Sequence, residues 1–258
     1  MNVLDSFRLS GKVALVTGGA GMYGRQIAEA LAEAGAHTFM ASRNLGKLRA
    51  QAEIFRRAGL DVTALQYDQA SEQSILQLLR QMIDVAGGVD ILVNNSVLRP
   101  MDDWSSSGAD FAKSMEVNAT GLFLMIRAFG EHMAERGQGS IINVGSIQGV
   151  VGPDYTLYEG LNWGSPPDYF FHKGGMVQLT KFAASKLGSR GVRVNTVTPG
   201  GFFNNQDPCL IERYNARTFL GRMANQSDLK GVIVFLASDA SAYVTGANIH
   251  VDGGYTSK

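Results

Sequence analysis

At 258 residues, with 45% hydrophobic and 18% charged positions, the chain has an ordinary globular composition and enough length to bury a large core. Lys plus Arg and Asp plus Glu both number 23, so no net field draws in nucleic acid or an anionic membrane, and neither is an expected partner. A single cysteine, Cys209, excludes an internal disulfide; no apolar run reaches membrane-span length and no signal-peptide layout is present, so a cytoplasmic protein is expected.

In chain order, short apolar runs at 12–17, 37–42, 61–67, 90–95, 140–145, 192–197 and 247–251 alternate with helical patterns such as RQIAEALAEAG, GKLRAQAEIFRRAG and SEQSILQLLRQMIDVAG. The alternation predicts β-α-β units: one α/β domain over residues 1–258, its parallel sheet covered by helices on both faces. The first run leads into TGGAGMYG, where Gly19, Gly21 and Gly24 satisfy G-x-G-x-x-G between a strand and a helix. Such glycines permit a tight turn, close approach to a pyrophosphate and close helix packing, so this turn reads as a dinucleotide site. The second run ends in Ser42-Arg43, with no acid to hold a ribose diol. That favours NADP(H), with NAD(H) the alternative cofactor, although Arg43 also fits a solvated helix start. Two loops, near 150–168 and 200–225, exceed what the units need and are candidate substrate loops.

SPPDYFFHKGG opens a helix, with Ser165 the expected N-cap, Pro166 its first residue and Asp168 a capping acid. Tyr169 and Lys173, four apart, share one helix face. An ammonium there lowers a phenol's pKa from about 10 and lets it trade a proton with an alcohol or carbonyl. A packed tyrosine beside a solvated lysine has the same spacing, so the pair alone does not decide.

Taken in order, these segments resemble the short-chain dehydrogenase/reductase family over essentially the whole chain. Thr17-Gly18 and the glycines after them resemble its cofactor turn, Asp68 its acid near the adenine, and NNSV (94–97) its N-N-A-G. Asn118, Ser146, Tyr169 and Lys173 match its catalytic set, while Pro199-Gly200 and VTGANIHVDGG match the end of its fold. The resemblance implies a single-domain Rossmann fold, a doubly wound seven-stranded parallel sheet, a nicotinamide cofactor across its C-terminal edge, and a homo-oligomer, tetramer or dimer. It makes Tyr169 the general acid/base and Lys173 the residue that lowers its pKa and holds the nicotinamide ribose. Ser146 would position the substrate oxygen, and Asn118 would hold a water linking Lys173 to solvent. The cofactor set it implies is Thr17, Gly18, Gly19, Gly21, Met22, Tyr23, Gly24, Ser42, Arg43, Asp68, Gln69, Asn95, Ser96, Val97, Tyr169, Lys173, Pro199, Gly200 and Phe202.

The chain departs from the family pattern in four places. The usual turn is T-G-x-x-x-G-x-G, but Met22 stands at its second glycine and Gly21 precedes it. Ser96 and Val97 replace the Ala and Gly of N-N-A-G, and GFFNNQD follows Pro199-Gly200, so that Asn204, Asn205 or Gln206 would cover the nicotinamide amide. Ser146 and Tyr169 stand 23 positions apart (169 − 146), more than the family normally shows, and the added loop carries Tyr155, Tyr158, Glu159, Asn162 and Trp163. Aromatic faces beside amides and carboxylates suit a hydroxyl-rich ligand, and equally suit anchoring a loop or an interface. Arg99, and Arg213 with Tyr214 in the second long loop, offer recognition of a carboxylate or phosphate, or plain solvated surface. The candidate substrate set is Arg99, Ser146, Gln148, Tyr158, Trp163, Asn204 and Asn205. No histidine has metal-ligand spacing, so no metal is expected, and Cys209 reads as a packed residue. The expected reaction interconverts a secondary alcohol and a ketone on a polar small molecule of the sugar, polyol or sugar-acid class. The alternatives are a 3-oxoacyl-thioester reductase and a catalytically silent dinucleotide-binding sensor.

Overall fold

The computed structural model describes residues 2–161 and 164–257. Strands β1 (Val13–Thr17), β2 (His37–Ser42), β3 (Val62–Gln66), β4 (Ile91–Asn94), β5 (Gly139–Val144), β6 (Val192–Pro199) and β7 (Asn248–Val251) form a 7-stranded sheet in the order β3-β2-β1-β4-β5-β6-β7. All pairs are parallel, with Val16 opposite Met40 on one side and Val93 on the other. The strands fall on the expected apolar runs; β6 continues past 197 because Thr198 and Pro199 still pair with His250 and Val251.

Helices α1 (Met22–Glu33), α2 (Leu45–Arg57), α3 (Glu72–Ala86), α4 (Gly108–Met115), α5 (Leu122–Glu135), α6 (Pro167–Leu187), α7 (Pro208–Asn215) and α8 (Lys230–Ala237) complete the fold. Successive strand side chains point to opposite faces of the sheet. Ala14, Val16, Ile142 and Val144 therefore pack with Ile27, Leu48 and Ile233 of α1, α2 and α8, whereas Leu15, Leu92 and Ile141 pack with Ile75, Phe129 and Met176 of α3, α5 and α6. Burial on both faces explains why the strands read as continuous apolar runs. A smaller cluster, Ile147, Leu157, Leu210, Tyr214 and Met223, joins the two long loops. No described helix is long and apolar enough to cross a membrane.

The glycine turn between β1 and α1 is tighter than its sequence spacing requires. A Cβ on Gly24 would lie 2.1 Å from the Gly18 carbonyl oxygen and 2.9 Å from Asn95 Nδ2. A backbone carbonyl cannot swing away as a side chain can, so Gly24→Ala is expected to cost roughly 1–3 kcal/mol, the usual range for forced overpacking. A urea midpoint equal to the wild type's would show that the turn relaxes freely.

Helix α6 starts one residue later than expected. Pro166 is its cap, in extended backbone (φ −73, ψ 135), and Pro167 is its first residue. A residue preceding proline is pushed out of the helical region, so Pro166 cannot be helical ahead of Pro167. Ser165 caps nothing and receives a hydrogen bond from Gln148 Nε2 at 3.3 Å. Asp168 does not cap either: it is fully buried, and neither carboxylate oxygen has a partner.

Candidate active site

The loops after β1, β2, β3, β4, β5 and β6 surround one cleft of about 760 Å³ at the C-terminal edge of the sheet. Strand order reverses between β1 and β4, the position where open α/β sheets take ligands. At one end the wall is Gly18, Ala20, Gly21, Met22 and Tyr23, with Gly18 at φ +65. Gly21 is the N-cap of α1 and provides no side-chain cap, so the first-turn N–H groups remain for a ligand anion. Met22, at the family's second glycine, is 47% exposed, and its side chain meets no steric limit there.

Three of the turn residues act behind the wall and not on it. Thr17 is fully buried, and its Oγ1 accepts from Asn95 N at 2.9 Å and Ser96 N at 3.0 Å, tying the turn to NNSV. Gly19 packs on Met40 and Gly24 on Gly18. These positions, expected to touch a cofactor, lie outside the cleft lining and let neighbouring backbone segments approach one another closely. Tyr23 holds the far loop: its hydroxyl donates to Gly200 O at 2.7 Å and its ring meets Phe202 edge-on at 5.2 Å.

Ser42, Arg43, Asp68, Gln69, Asn95, Ser96, Val97, Pro199, Gly200 and Phe202 all line the cleft, as expected. Asp68 Oδ1 accepts from Ala70 N at 3.0 Å. Asn44, Lys47 and Tyr67 also line it and were not foreseen. Asn44 Oδ1 caps α2 by accepting from Lys47 N at 3.0 Å, which sets Lys47 one turn beyond Arg43. An N-cap residue followed by a lysine on the first turn was the available signal. The Tyr67 hydroxyl lies between Gln69 Oε1 (2.8 Å) and Ser96 Oγ (3.1 Å).

At the other end stand Ser146, Tyr169 and Lys173. Ser146 follows β5 and begins a short turn in which its Oγ accepts from Gln148 N at 3.2 Å. A Cβ on Gly149 would come 2.7 Å from the Lys173 carbonyl, so this turn and α6 meet backbone to backbone and bring Ser146 to Tyr169. Lys173 is buried and donates to Val144 O at 2.5 Å. Its Nζ lies 5.6 Å from the Tyr169 ring centroid, and the Arg99 guanidinium carbon lies 4.3 Å from the same ring. Burial pushes the Tyr169 phenol up, but the charges of Lys173 and Arg99, with hydrogen bonding toward Ser146 and Arg99, hold it below the ordinary phenol value. Burial likewise lowers the Lys173 amine; Tyr169 opposes that shift and Arg99 adds to it. His172 is buried without a partner on either ring nitrogen, and burial with the cations of Lys173 and Arg99 lowers it to about 3, so it is neutral near pH 7.

Asn118 occupies a π turn, Glu116–Gly121, between α4 and α5. Its Oδ1 accepts from Leu98 N at 2.8 Å, and its Nδ2 donates to Leu98 O at 2.6 Å and Ser114 Oγ at 3.0 Å. The side chain thus clamps the segment that carries Arg99.

Around the substrate end, Arg99, Gln148 and Tyr158 line the cleft as expected. Asn204 and Asn205 do not. Both are exposed in a turn with Asn205 at φ +54, where Gln206 Oε1 accepts from Asn204 N at 2.8 Å and Gln206 Nε2 donates to Phe202 O at 2.6 Å. The left-handed residue reverses the chain, so Gln206 reaches the cleft in their place. Trp163 and Asn162 lie outside the described residues. Arg213 is committed to the long loop, donating to Glu159 O at 2.6 Å and Leu157 O at 3.3 Å, and Arg217 pairs with Asp154 and Thr156. Tyr214 Oη accepts from Gly201 N at 2.5 Å, and the ring stacks on Tyr255. Cys209 is exposed, not packed, because it sits on the outer side of the first turn of α7.

Comparison with known proteins agrees with this geometry. A family model described as enoyl-(acyl carrier protein) reductase matches residues 20–256. The galactitol 2-dehydrogenase (L-tagatose-forming) of Cereibacter sphaeroides is 34% identical, over 99% of this chain and 99% of its own. The 3-oxoacyl-[acyl-carrier-protein] reductase of Aquifex aeolicus is 33% identical, over 96% of this chain and 98% of its own. The crystal structure of a gluconate 5-dehydrogenase from Burkholderia cenocepacia, in complex with NADP and tartrate, superposes with a TM-score of 0.89 at 32% identity over 100% of both chains. With the sheet order, the glycine turn and the Ser146–Tyr169–Lys173 cluster in place, the chain belongs to the short-chain dehydrogenase/reductase family, as an NAD(P)-dependent oxidoreductase acting on CH–OH groups.

Proposed function

We propose that the cleft binds NADP(H) in preference to NAD(H) and interconverts a secondary alcohol and a ketone on a polar substrate of the sugar, polyol or sugar-acid class. The observation that carries this reading is a buried tyrosine held between two cations and beside Ser146, in the cleft that the glycine turn opens. The nicotinamide, when bound, supplies or accepts the hydride. Tyr169 Oη gives a proton to the carbonyl oxygen in reduction and takes one from the alcohol in oxidation. Lys173 keeps the phenol acidic, and Ser146 holds the substrate oxygen by hydrogen bonding. The family resemblance adds a water between Asn118 and Lys173, and homo-oligomerisation.

Arg43 and Lys47, both exposed at the rim with no acid at the end of β2, support the 2′-phosphate. Gln148, Tyr158, Ser165 and Gln206 give the substrate end a hydroxyl-matching lining, and the relatives named for galactitol and gluconate support the class. The relative named as a 3-oxoacyl-thioester reductase favours a second reading, as do the apolar side chains Ile147, Val151, Leu157, Leu210 and Met223 of the same lining, whereas Gln148, Tyr158, Ser165 and Gln206 favour the first. Thermal shift with NADP and NAD, followed by nicotinamide absorbance assays against polyols, sugar acids and acyl thioesters, separates them. Turnover of acyl thioesters alone overturns the substrate class, and stabilisation by NAD alone overturns the cofactor preference.

We read the protein as a cytoplasmic homo-oligomer. Phe171 and Phe182, about three turns apart on one face of α6, are 65% and 67% exposed, and Phe111 meets Phe171 edge-on at 5.6 Å. A second copy covering this face removes that apolar surface from water. The double variant Phe171→Glu, Phe182→Glu is expected to elute as a monomer with its light-scattering mass reduced at least twofold; an unchanged mass rules the face out.

A further inference from the structure

We propose that Arg99 is the specificity residue of the substrate end, and that the substrate it selects carries a carboxylate within a few bonds of the reacting carbon. The proposal rests on the oxidoreductase reading of the same site and narrows its substrate class.

Charge in the cleft is the first ground. The described lining has four cations, of which Arg43 and Lys47 stand at the opposite end, and Lys173 is buried against Val144 O. Of its two acids, Asp68 is at the opposite end and Asp154 is paired with Arg217. Arg213, Arg217 and Arg222 are bound to loop carbonyls or to carboxylates. Arg99 alone, among the described residues of the substrate end, presents an exposed cation that no carboxylate answers. Its planar fork of donors matches a carboxylate bidentately.

Placement is the second ground. Asn118 grips Leu98 by both its N–H and its carbonyl, so the backbone beside Arg99 is held, and Pro100 follows it. The guanidinium lies over the ring of Tyr169 itself, at 4.3 Å. Hydrogen bonds from a guanidinium to a carboxylate span about 2.7–2.9 Å. An anion bound by Arg99 is therefore a near neighbour of the oxygen that meets Tyr169 Oη. Short hydroxy acids, and sugar acids that react near their carboxyl end, satisfy that spacing. Neutral polyols, and sugar acids that react at the far end, do not.

A carboxylate on Arg99 also neutralises one of the two cations beside the phenol, so Tyr169 holds its proton more tightly in the ternary complex than before substrate binds. The groups facing Tyr169 are Lys173 and neutral His172 from α6, Ser146 from the β5 end, Arg99 from the β4 loop and the neutral phenol of Tyr23 from α1. Only Lys173 and Arg99 bring charge.

The test uses NADP-loaded enzyme and probe pairs matched in carbon skeleton and differing in charge: tartrate with threitol, 2-hydroxybutyrate with 1,2-butanediol, and gluconate with glucitol. Calorimetry measures binding to the wild type, Arg99→Leu and Arg99→Lys. The wild type is expected to prefer at least one acid over its neutral partner, and Arg99→Leu to lower that preference by roughly tenfold or more, with Arg99→Lys recovering part of it. For the acid, the rising limb of kcat against pH is expected above that of kcat/KM in the wild type, and level with it in Arg99→Leu. Preference for no acid in the wild type, or equal loss for acid and neutral partner in Arg99→Leu, overturns the proposal. The oxidoreductase reading fails separately, if wild-type enzyme that binds acids through Arg99 turns over none of the probes with either nicotinamide.

Discussion

Tyr169→Phe is expected to lower turnover by a factor of roughly 10²–10⁴, the usual contribution of a positioned acid/base, with NADP(H) affinity nearly unchanged. The ring is 8% exposed and packed between Arg99 and His172, so phenylalanine keeps the packing and loses only the hydroxyl. The wild-type profile carries a matching sign. The phenol sits below its ordinary value because Lys173 and Arg99 outweigh the opposing effect of burial. Alcohol oxidation, which needs the phenolate, is therefore expected to rise with pH along a limb below that of a free phenol. Lys173→Met removes one of the two charges and is expected to move the limb to higher pH. Turnover of Tyr169→Phe within tenfold of the wild type would assign the proton transfer to another group, and the limb would then persist in that variant.

Arg43→Asp is expected to lower the NADP to NAD ratio of kcat/KM by roughly a hundredfold. One charge-assisted hydrogen bond is worth about 1.5–3 kcal/mol, and the new carboxylate adds repulsion to a 2′-phosphate while offering NAD a partner for its ribose diol. Arg43 is exposed at the rim, and its backbone carbonyl is anchored by Gln66 Nε2 at 3.1 Å, so the substitution leaves the turn intact. An unchanged ratio in steady-state kinetics would remove Arg43 from cofactor discrimination and leave Lys47 as the cation to test.

Much of this site was legible before any coordinates. The glycine turn follows from the conformational freedom of Gly18, at φ +65, and from spaces too small for a Cβ at Gly19 and Gly24. Tyr169 and Lys173 share a face because any helix puts i and i+4 together. What local rules missed lies in loops. Of Asn204, Asn205 and Gln206, all three read as alternatives for covering the nicotinamide amide, Gln206 alone lines the cleft, because one left-handed residue turns the first two outward. Arg213, read either as an anion contact or as solvated surface, instead donates to carbonyls 54 and 56 positions earlier, which no local pattern announces.

The sequence by itself determined the strand and helix order, the glycine turn and the shared helix face of Tyr169 and Lys173. These rest on side-chain periodicity, backbone freedom at glycine and single-turn spacing, all of which act within a few residues. Only the tertiary structure decided that Asn118 clamps Leu98, that Tyr23 holds the loop after β6, and that Arg99 lies over Tyr169. Parallel strands return every β-to-α loop to the same edge of the sheet, so residues far apart in the chain become neighbours there. Which of them then touch is set by how α6, the π turn at 116–121 and the β4 loop pack against one another, and no short stretch of chain contains that information.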